Sequence, residues 1–368
     1  MNAERLHAVL LQLGKELASP QFLPFMQQLT TALQNQVNQP GNASFQQTVA
    51  QSLATLHTFL ASAASNSFSP AWRQILKEIG VADLLGNTLD ASLVEVFARN
   101  QITPTIALQE IQQINQRLAQ LKPTVDQLVA GFKSIGVTAD ELPPGVSEVG
   151  VVIPRAAVEN KLDPLANELH ELNLMLGDFQ EIATGRRDGF EIRSISSTDF
   201  AFFVRTAPSV AAFLALAVER IVKLYKTLLE IRQLHAELAA RGVSKADLQG
   251  VENHANKLMR DGIEKLIVEV PDRYFVTKDS SRKNELKNSL RITLNRWANR
   301  IDRGYNVEVR IEPPKGAKPE DAVNESVKII REASETLQFI RLEGSPILSL
   351  PESPPPPKDT PKKGETKK

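Results

Sequence analysis

The sequence predicts an α+β fold, predominantly α, and three observations carry that expectation. Apolar residues recur at gaps of three and four through most of the chain. Strict alternation is confined to a few short runs. Prolines at starts and glycines at stops divide the periodic stretches into separate helices. With 42% apolar and 23% charged residues the composition is near the globular average, so the bulk of the 368 residues is expected to fold, with length enough for two domains.

Residues 1–140 are predicted to form a helical bundle. Ser19-Pro20, Ser69-Pro70, Thr103-Pro104 and Lys122-Pro123 each precede an apolar-periodic run. Proline suits the first helical position because that N–H has no intrahelical acceptor. Ile106, Ile111, Ile114, Leu118 and Leu121 form one such stripe. The segment from Asp140 to Gly145, with paired prolines and a glycine, cannot continue a helix and marks the expected domain boundary.

Residues 146–345 are predicted to combine a small sheet with long helices. Glu148 to Pro154 reads as a short buried strand. Asp163-Pro164 opens a helix whose seam, Leu165, Leu169, Leu172, Leu176, Phe179 and Ala183, alternates gaps of four and three before Gly185 ends it. Phe190 to Ile195 and Phe200 to Arg205 form a hairpin across Ser196 to Asp199. Pro208 then starts a helix with no breaker until Gly242, about 50 Å long. Its first turns are apolar all round, whereas its second half keeps one stripe between charged flanks. Leu224, Leu228, Ile231, His235 and Leu238 of that stripe are the predicted partner interface, with two helices of the same chain as competing covers. At His235 a drift of about 20° per heptad is expected to bring Leu234 into the seam and leave the imidazole at its edge.

Ser244 and Asp247 form a capping box that opens a helix towards Glu264. The LIVEV and RYFVT runs flanking Pro271-Asp272 read as short strands. A basic helix spans Ser281 to Arg303, and Tyr305 to Ile311 alternates as a strand with one buried face. Pro319 starts a last helix to about Leu342. Residues 351–368, rich in proline and lysine and poor in apolar groups, are expected to be a disordered tail.

No constellation able to run chemistry emerges. The absence of cysteine excludes disulfides, thiolate metal sites and cysteine nucleophiles. There is no phosphate-cradling glycine loop, and the five histidines lack metal spacing. Asp272 with Glu285 and Lys287 superficially matches a nuclease pattern, but Leu286, Leu290, Leu294, Trp297 and Ile301 place Glu285 and Lys287 on a helix, where they diverge. No catalytic, cofactor-binding or metal-binding residue is therefore assigned, and no cofactor is expected.

Lysine plus arginine equals aspartate plus glutamate at 43 each, so any pull towards polyanions must be local. It is strongest between Lys278 and Arg303, with eight basic residues against three acids. Arg296, Arg300 and Arg303 on one flank, and Arg186 and Arg187 between glycines, are the candidate contacts for an anion or nucleic acid. Arg205 and Pro208 interrupt the apolar run from Phe200 to Val218, so no integral membrane association is expected. The amphipathic N-terminus does not read as a signal peptide, and a cytoplasmic location is expected. These features predict a non-catalytic interaction protein, a scaffold or adaptor that binds a protein partner or a second copy through long coiled-coil-like helices. The runner-up is a nucleic-acid-associated regulator using residues 282–303, and a metal-dependent nuclease ranks last.

Overall fold

The computed structural model describes residues 3–196, 200–269, 274–316, 322–337, 342 and 344–353. In chain order the helices are α1 (Ala3–Leu17), α2 (Phe22–Asn38), α3 (Ala43–Ala61), α4 (Pro70–Glu78), α5 (Gly86–Arg99), α6 (Pro104–Ser134), α7 (Leu162–Thr184), α8 (Pro208–Ala240), α9 (Lys245–Glu269), α10 (Ser280–Asp302) and α11 (Ala322–Thr336). The strands are β1 (Ser147–Ile153), β2 (Glu191–Ser196), β3 (Phe200–Thr206) and β4 (Asn306–Ile311). The fold is α+β and mostly α, as the sequence predicts. No described helix is long and apolar enough to cross a membrane.

The chain divides into two compact units. The first comprises Met1–Arg155, Phe190–Leu216 and Asn306–Ile340, and the second Ala156–Gly189, Ala217–Tyr305 and Arg341–Lys368. This differs from a cut near residue 140, because all four strands belong with the N-terminal bundle. The physical reason is a set of bonds from Arg5 on α1 and Ser69 before α4 to Glu148 on β1 and Glu308 on β4.

In the first unit, α1 to α6 form the expected bundle around buried Leu10, Leu13, Phe22, Leu29, Leu56, Leu89, Ile111 and Leu118. Ser69 caps α4 by accepting from the Trp72 amide. The expected start at Lys122-Pro123 is not a start, because α6 runs through Pro123. Leu118, Leu121 and Val125 are all buried on either side of it. That burial outweighs the lost hydrogen bond and the ring clash, which together cost about 3 kcal/mol.

The sheet is antiparallel in the order β2-β3-β1-β4. Residues 197–199, the expected hairpin connection, lie outside the described residues. Val149, Val151 and Ile153 of β1 share one face with Val204, Val307 and Val309, and all six are buried. Helix α11 packs beside β4, and its Ser334 hydroxyl donates to the Val309 carbonyl. The alternation of β4 is as the sequence suggests, but its polar face is not solvated. Glu308 is 1% exposed, and the Arg310 side chain 10%. On that face Gly150 lets the Phe203 ring cross β1, since a Cβ there would stand 2.3 Å from the ring.

In the second unit, α7 ends at Gly185 in the left-handed conformation (φ 75°), and Ser244 and Asp247 bond reciprocally at the start of α9. The LIVEV run is not a strand. Helix α9 continues to Glu269, with Met259, Ile263, Leu266 and Ile267 buried at helical spacing. Of the RYFVT run, Arg273 lies outside the described residues and 274–277 form no strand. Asp279 caps α10 by accepting from the Ser281 and Arg282 amides. The expected start of α11 at Pro319 lies outside the described residues, and the helix ends at Thr336, short of Leu342.

Candidate peptide groove of the second unit

Among the described residues, one convergence of polar side chains in each unit bears on function. In the first unit, three arginines and three acids meet over the sheet. Arg5 bonds Glu148 at 2.9 Å and Asp140 at 3.1 Å, and Arg310 bonds the same two acids at 2.7 and 3.3 Å. Arg193 bonds Asp140 at 2.9 Å and Glu148 at 3.1 Å, and the Ser69 hydroxyl donates to Glu308 at 2.7 Å. The Arg5 guanidinium also lies 3.5 Å above the Phe203 ring. Burial pulls the Arg310 pKa down, but Glu148, Glu308 and Asp140 outweigh it and hold the guanidinium above its ordinary value. A cavity of about 680 Å³ beside the cluster is lined by Lys15, Ser69, Trp72, Asp140, Arg310 and Arg331. Both cluster residues that line it, Asp140 and Arg310, are already ion-paired.

The second convergence involves main chain. Residues 344–353 form neither helix nor strand, yet Ile347, Leu348 and Leu350 are buried. Backbone groups in such a segment need partners, because a buried unpaired N–H costs about as much as a lost hydrogen bond. Side chains of α8, α9 and α10 supply them. The amides of Ile347 and Leu348 both donate to Asp302 Oδ2 at 2.7 Å. The Ser349 amide donates to Asn256 Oδ1 at 2.8 Å. Asn299 takes Leu350 at both ends, accepting from its amide at 2.9 Å and donating to its carbonyl at 3.0 Å. Further along, Asn295 Nδ2 donates to the Pro351 carbonyl and Arg296 Nε to the Glu352 carbonyl, each at 3.0 Å. At the other end Arg232 Nη2 donates to the Gly344 carbonyl at 2.6 Å.

Helical spacing explains how one element presents this array. Asn295, Asn299 and Asp302 stand at i, i+4 and i+7 and share a face, while Leu294, Trp297, Ala298 and Ile301 are buried. The bound segment runs antiparallel to α10, meeting Asp302 first and Asn295 later. Asp302 is fully buried, and its second oxygen, Oδ1, accepts from the Tyr225 hydroxyl and from Arg232, both at 2.6 Å. Burial, with the Asp302 carboxylate beside it, pushes the Tyr225 pKa up, so the hydroxyl keeps its proton and donates.

The predicted partner seam on α8 is covered within the second unit. Leu228 is buried, and a Cβ at Gly262 of α9 would stand 2.5 Å from Leu224. Ile231 and Leu238 are half-buried. His235 stays in the seam at 8% exposure, whereas Leu234 is 49% exposed, the reverse of the expected drift. The imidazole bonds Glu252 of α9 at 3.1 Å, and this partner lets a polar ring stay inside. The buried stripe is thus Tyr225, Leu228, Arg232 and His235, more polar than its heptad pattern suggests.

The basic flank is also largely engaged. Arg300 forms a two-pronged pair with Glu168 of α7 at 2.6 and 3.1 Å and is 4% exposed. Arg296 bonds Glu171 at 3.0 Å, and Arg187 bonds Asp178 and Glu181. Arg186 and Arg303 are exposed, Arg186 lying 3.7 Å from Asp188. On the nuclease pattern, Asp272 lies outside the described residues, and Glu285 and Lys287 sit on α10 as expected. Among the described residues no group of three histidines, aspartates or glutamates is placed to hold a metal.

Asn256, Asn295, Asn299, Asp302, Arg232 and Tyr225 went unmarked in the sequence. The available signal was the run Asn295, Asn299, Asp302 on one helical face beside an apolar stripe, where a solvated face would carry lysine and glutamate. Compared with protein-family models, with curated proteins and with solved structures, the chain matches none.

Proposed function

We propose that this is a non-catalytic interaction protein, an adaptor, and that its partner-binding surface is the face of α8, α9 and α10 that holds residues 344–352. The observation that supports this most is the set of four consecutive main-chain amides, Ile347 to Leu350, all accepted by receptor side chains. Side chains that bond backbone recognise a peptide by its path, and the apolar pockets add the choice of side chain, a general mode of peptide recognition. The groove replaces the α8 seam as the proposed interface, because α9 already meets the seam at Leu224 and His235, and Leu228 is buried.

The test is a titration of the full chain with a labelled peptide of the sequence from Gly344 to Ser353, followed by fluorescence anisotropy. Saturable binding that falls about tenfold or more in the Asn299→Ala chain is the expected result, since its bonds to the Leu350 amide, the Leu350 carbonyl and the Glu352 carboxylate are all removed. Absence of binding at millimolar peptide, with the resident segment shown by amide exchange to open, would remove the proposal.

A further inference from the structure

The segment in the groove leaves one receptor atom unmet. Asn295 is 5% exposed and gives its Nδ2 to the Pro351 carbonyl, but its Oδ1 is buried without a hydrogen-bond partner among the described residues. One turn along α10, Asn299 takes the amide and the carbonyl of a single residue, Leu350. By the same pattern Asn295 would take the amide and the carbonyl of residue 351. That residue is proline and has no N–H. A buried acceptor without a donor carries its desolvation penalty uncompensated, whereas the same amide fully paired is stabilising.

We infer that the groove is shaped for a peptide other than the one it holds: an irregular or extended segment with apolar side chains where Ile347, Leu348 and Leu350 lie, followed by a residue that has a backbone N–H. On this inference residues 344–352 are a resident, imperfect occupant that a partner peptide of this chemistry displaces. Proline at 351 keeps the resident segment weak enough to exchange, because tethering otherwise gives an intramolecular ligand a large advantage in effective concentration. The inference rests on the proposed peptide-binding function and specifies its ligand.

Three peptides of the sequence from Gly344 to Ser353 decide it, carrying proline, alanine or N-methylalanine at position 351, each titrated into the full chain. N-methylalanine lacks the N–H without the pyrrolidine ring, so its difference from alanine isolates the hydrogen bond. The alanine peptide is expected to bind about tenfold more tightly than the other two. In the Asn295→Ala chain that gap is expected to close, as a double-mutant cycle requires if the two atoms meet. Equal affinity of the alanine and N-methylalanine peptides would overturn the inference and leave the groove standing. Failure of all three to bind at millimolar peptide, with the resident segment shown by amide exchange to open, would overturn the groove itself. A measurement independent of the Asn295 variant uses the Pro351→Ala chain. Its Leu350 amide is expected to exchange more slowly, and its affinity for added peptide to fall, because the resident competes better. An unchanged Leu350 exchange rate and unchanged peptide affinity would also overturn the inference.

Discussion

The buried polar cluster of the first unit and the array of the second solve one problem differently. Over the sheet, charge meets charge: the ion pairs of Arg5, Arg193 and Arg310 with Asp140, Glu148 and Glu308 join side chain to side chain. In the second unit, Asn256 of α9 and Asn299 and Asp302 of α10 meet backbone amides that any residue but proline possesses. Side chain against side chain is specific to sequence and fixes which elements stay together. Side chain against main chain is indifferent to sequence at most positions, so one occupant can replace another. The first arrangement suits a permanent join and the second an exchangeable one.

The largest expected effect breaks the permanent join. Glu148→Ala leaves three arginines with two acids in a buried site, an uncompensated charge that costs about 3–5 kcal/mol. Urea denaturation should show that loss, and a change below about 1 kcal/mol would mean that the cluster does not tie α1 to the sheet. Next in size is removal of the segment that α8, α9 and α10 hold by its main chain. Ending the chain after Leu342 exposes the sites of Ile347, Leu348 and Leu350 and is expected to cost about 2–4 kcal/mol after the ordering entropy of the segment is recovered. Ending it after Ser353 should leave the melting temperature unchanged, because residues 354–368 have no apolar side chain to bury.

Asn299→Ala is smaller, about 1–2 kcal/mol, and its signature is local: faster exchange of the Leu350 amide with little change at β1. The smallest effect depends on pH. Burial pushes the Glu181 pKa up, but hydrogen bonds from Arg282 and Arg187 outweigh it and hold the carboxyl below its ordinary value. A carboxylate with a lowered folded pKa stabilises above the ordinary carboxylate range, and that contribution is lost as pH falls through the folded value. The native chain should therefore exceed Glu181→Gln in stability at pH 6, with the gap closing towards pH 3. A gap independent of pH would show that packing, not charge, is what Glu181 contributes.

Features set by near neighbours were legible in the sequence. Gly185 ends α7, the Ser244 and Asp247 box opens α9, and the apolar stripe of α10 is where its spacing puts it, because each is decided within a few residues. Features set by distant partners were not. Glu308 and Arg310 alternate like a solvated face, and nothing nearby announces Arg5, 303 residues from Glu308, as the reason they are buried. Pro123 lies inside α6 because the bundle covers both sides of it, and His235 holds its place because Glu252 answers it. The groove was hidden for the same reason. Asn299 finds its partner 51 residues later, in a stretch without periodicity. Pro351 and Glu352, which composition assigns to the tail, are held by their carbonyls, while residues 354–368 lie outside the described residues.

The separation between Arg5 and Glu308 has a consequence for biosynthesis. At roughly 5–20 residues per second, the 303 residues between them take about 15–60 s to emerge from a ribosome. From the completion of β3 at Thr206 until β4 begins at Asn306, β1 can pair with β3 but not with β4, so a central strand of the finished sheet is an open edge in the nascent chain. Arg5, Asp140, Glu148 and Arg193 are made first and balance one another, and Glu308 and Arg310 then arrive together as a neutral pair. Once Arg193 is in place, translation thus completes the cluster by adding a neutral increment of charge.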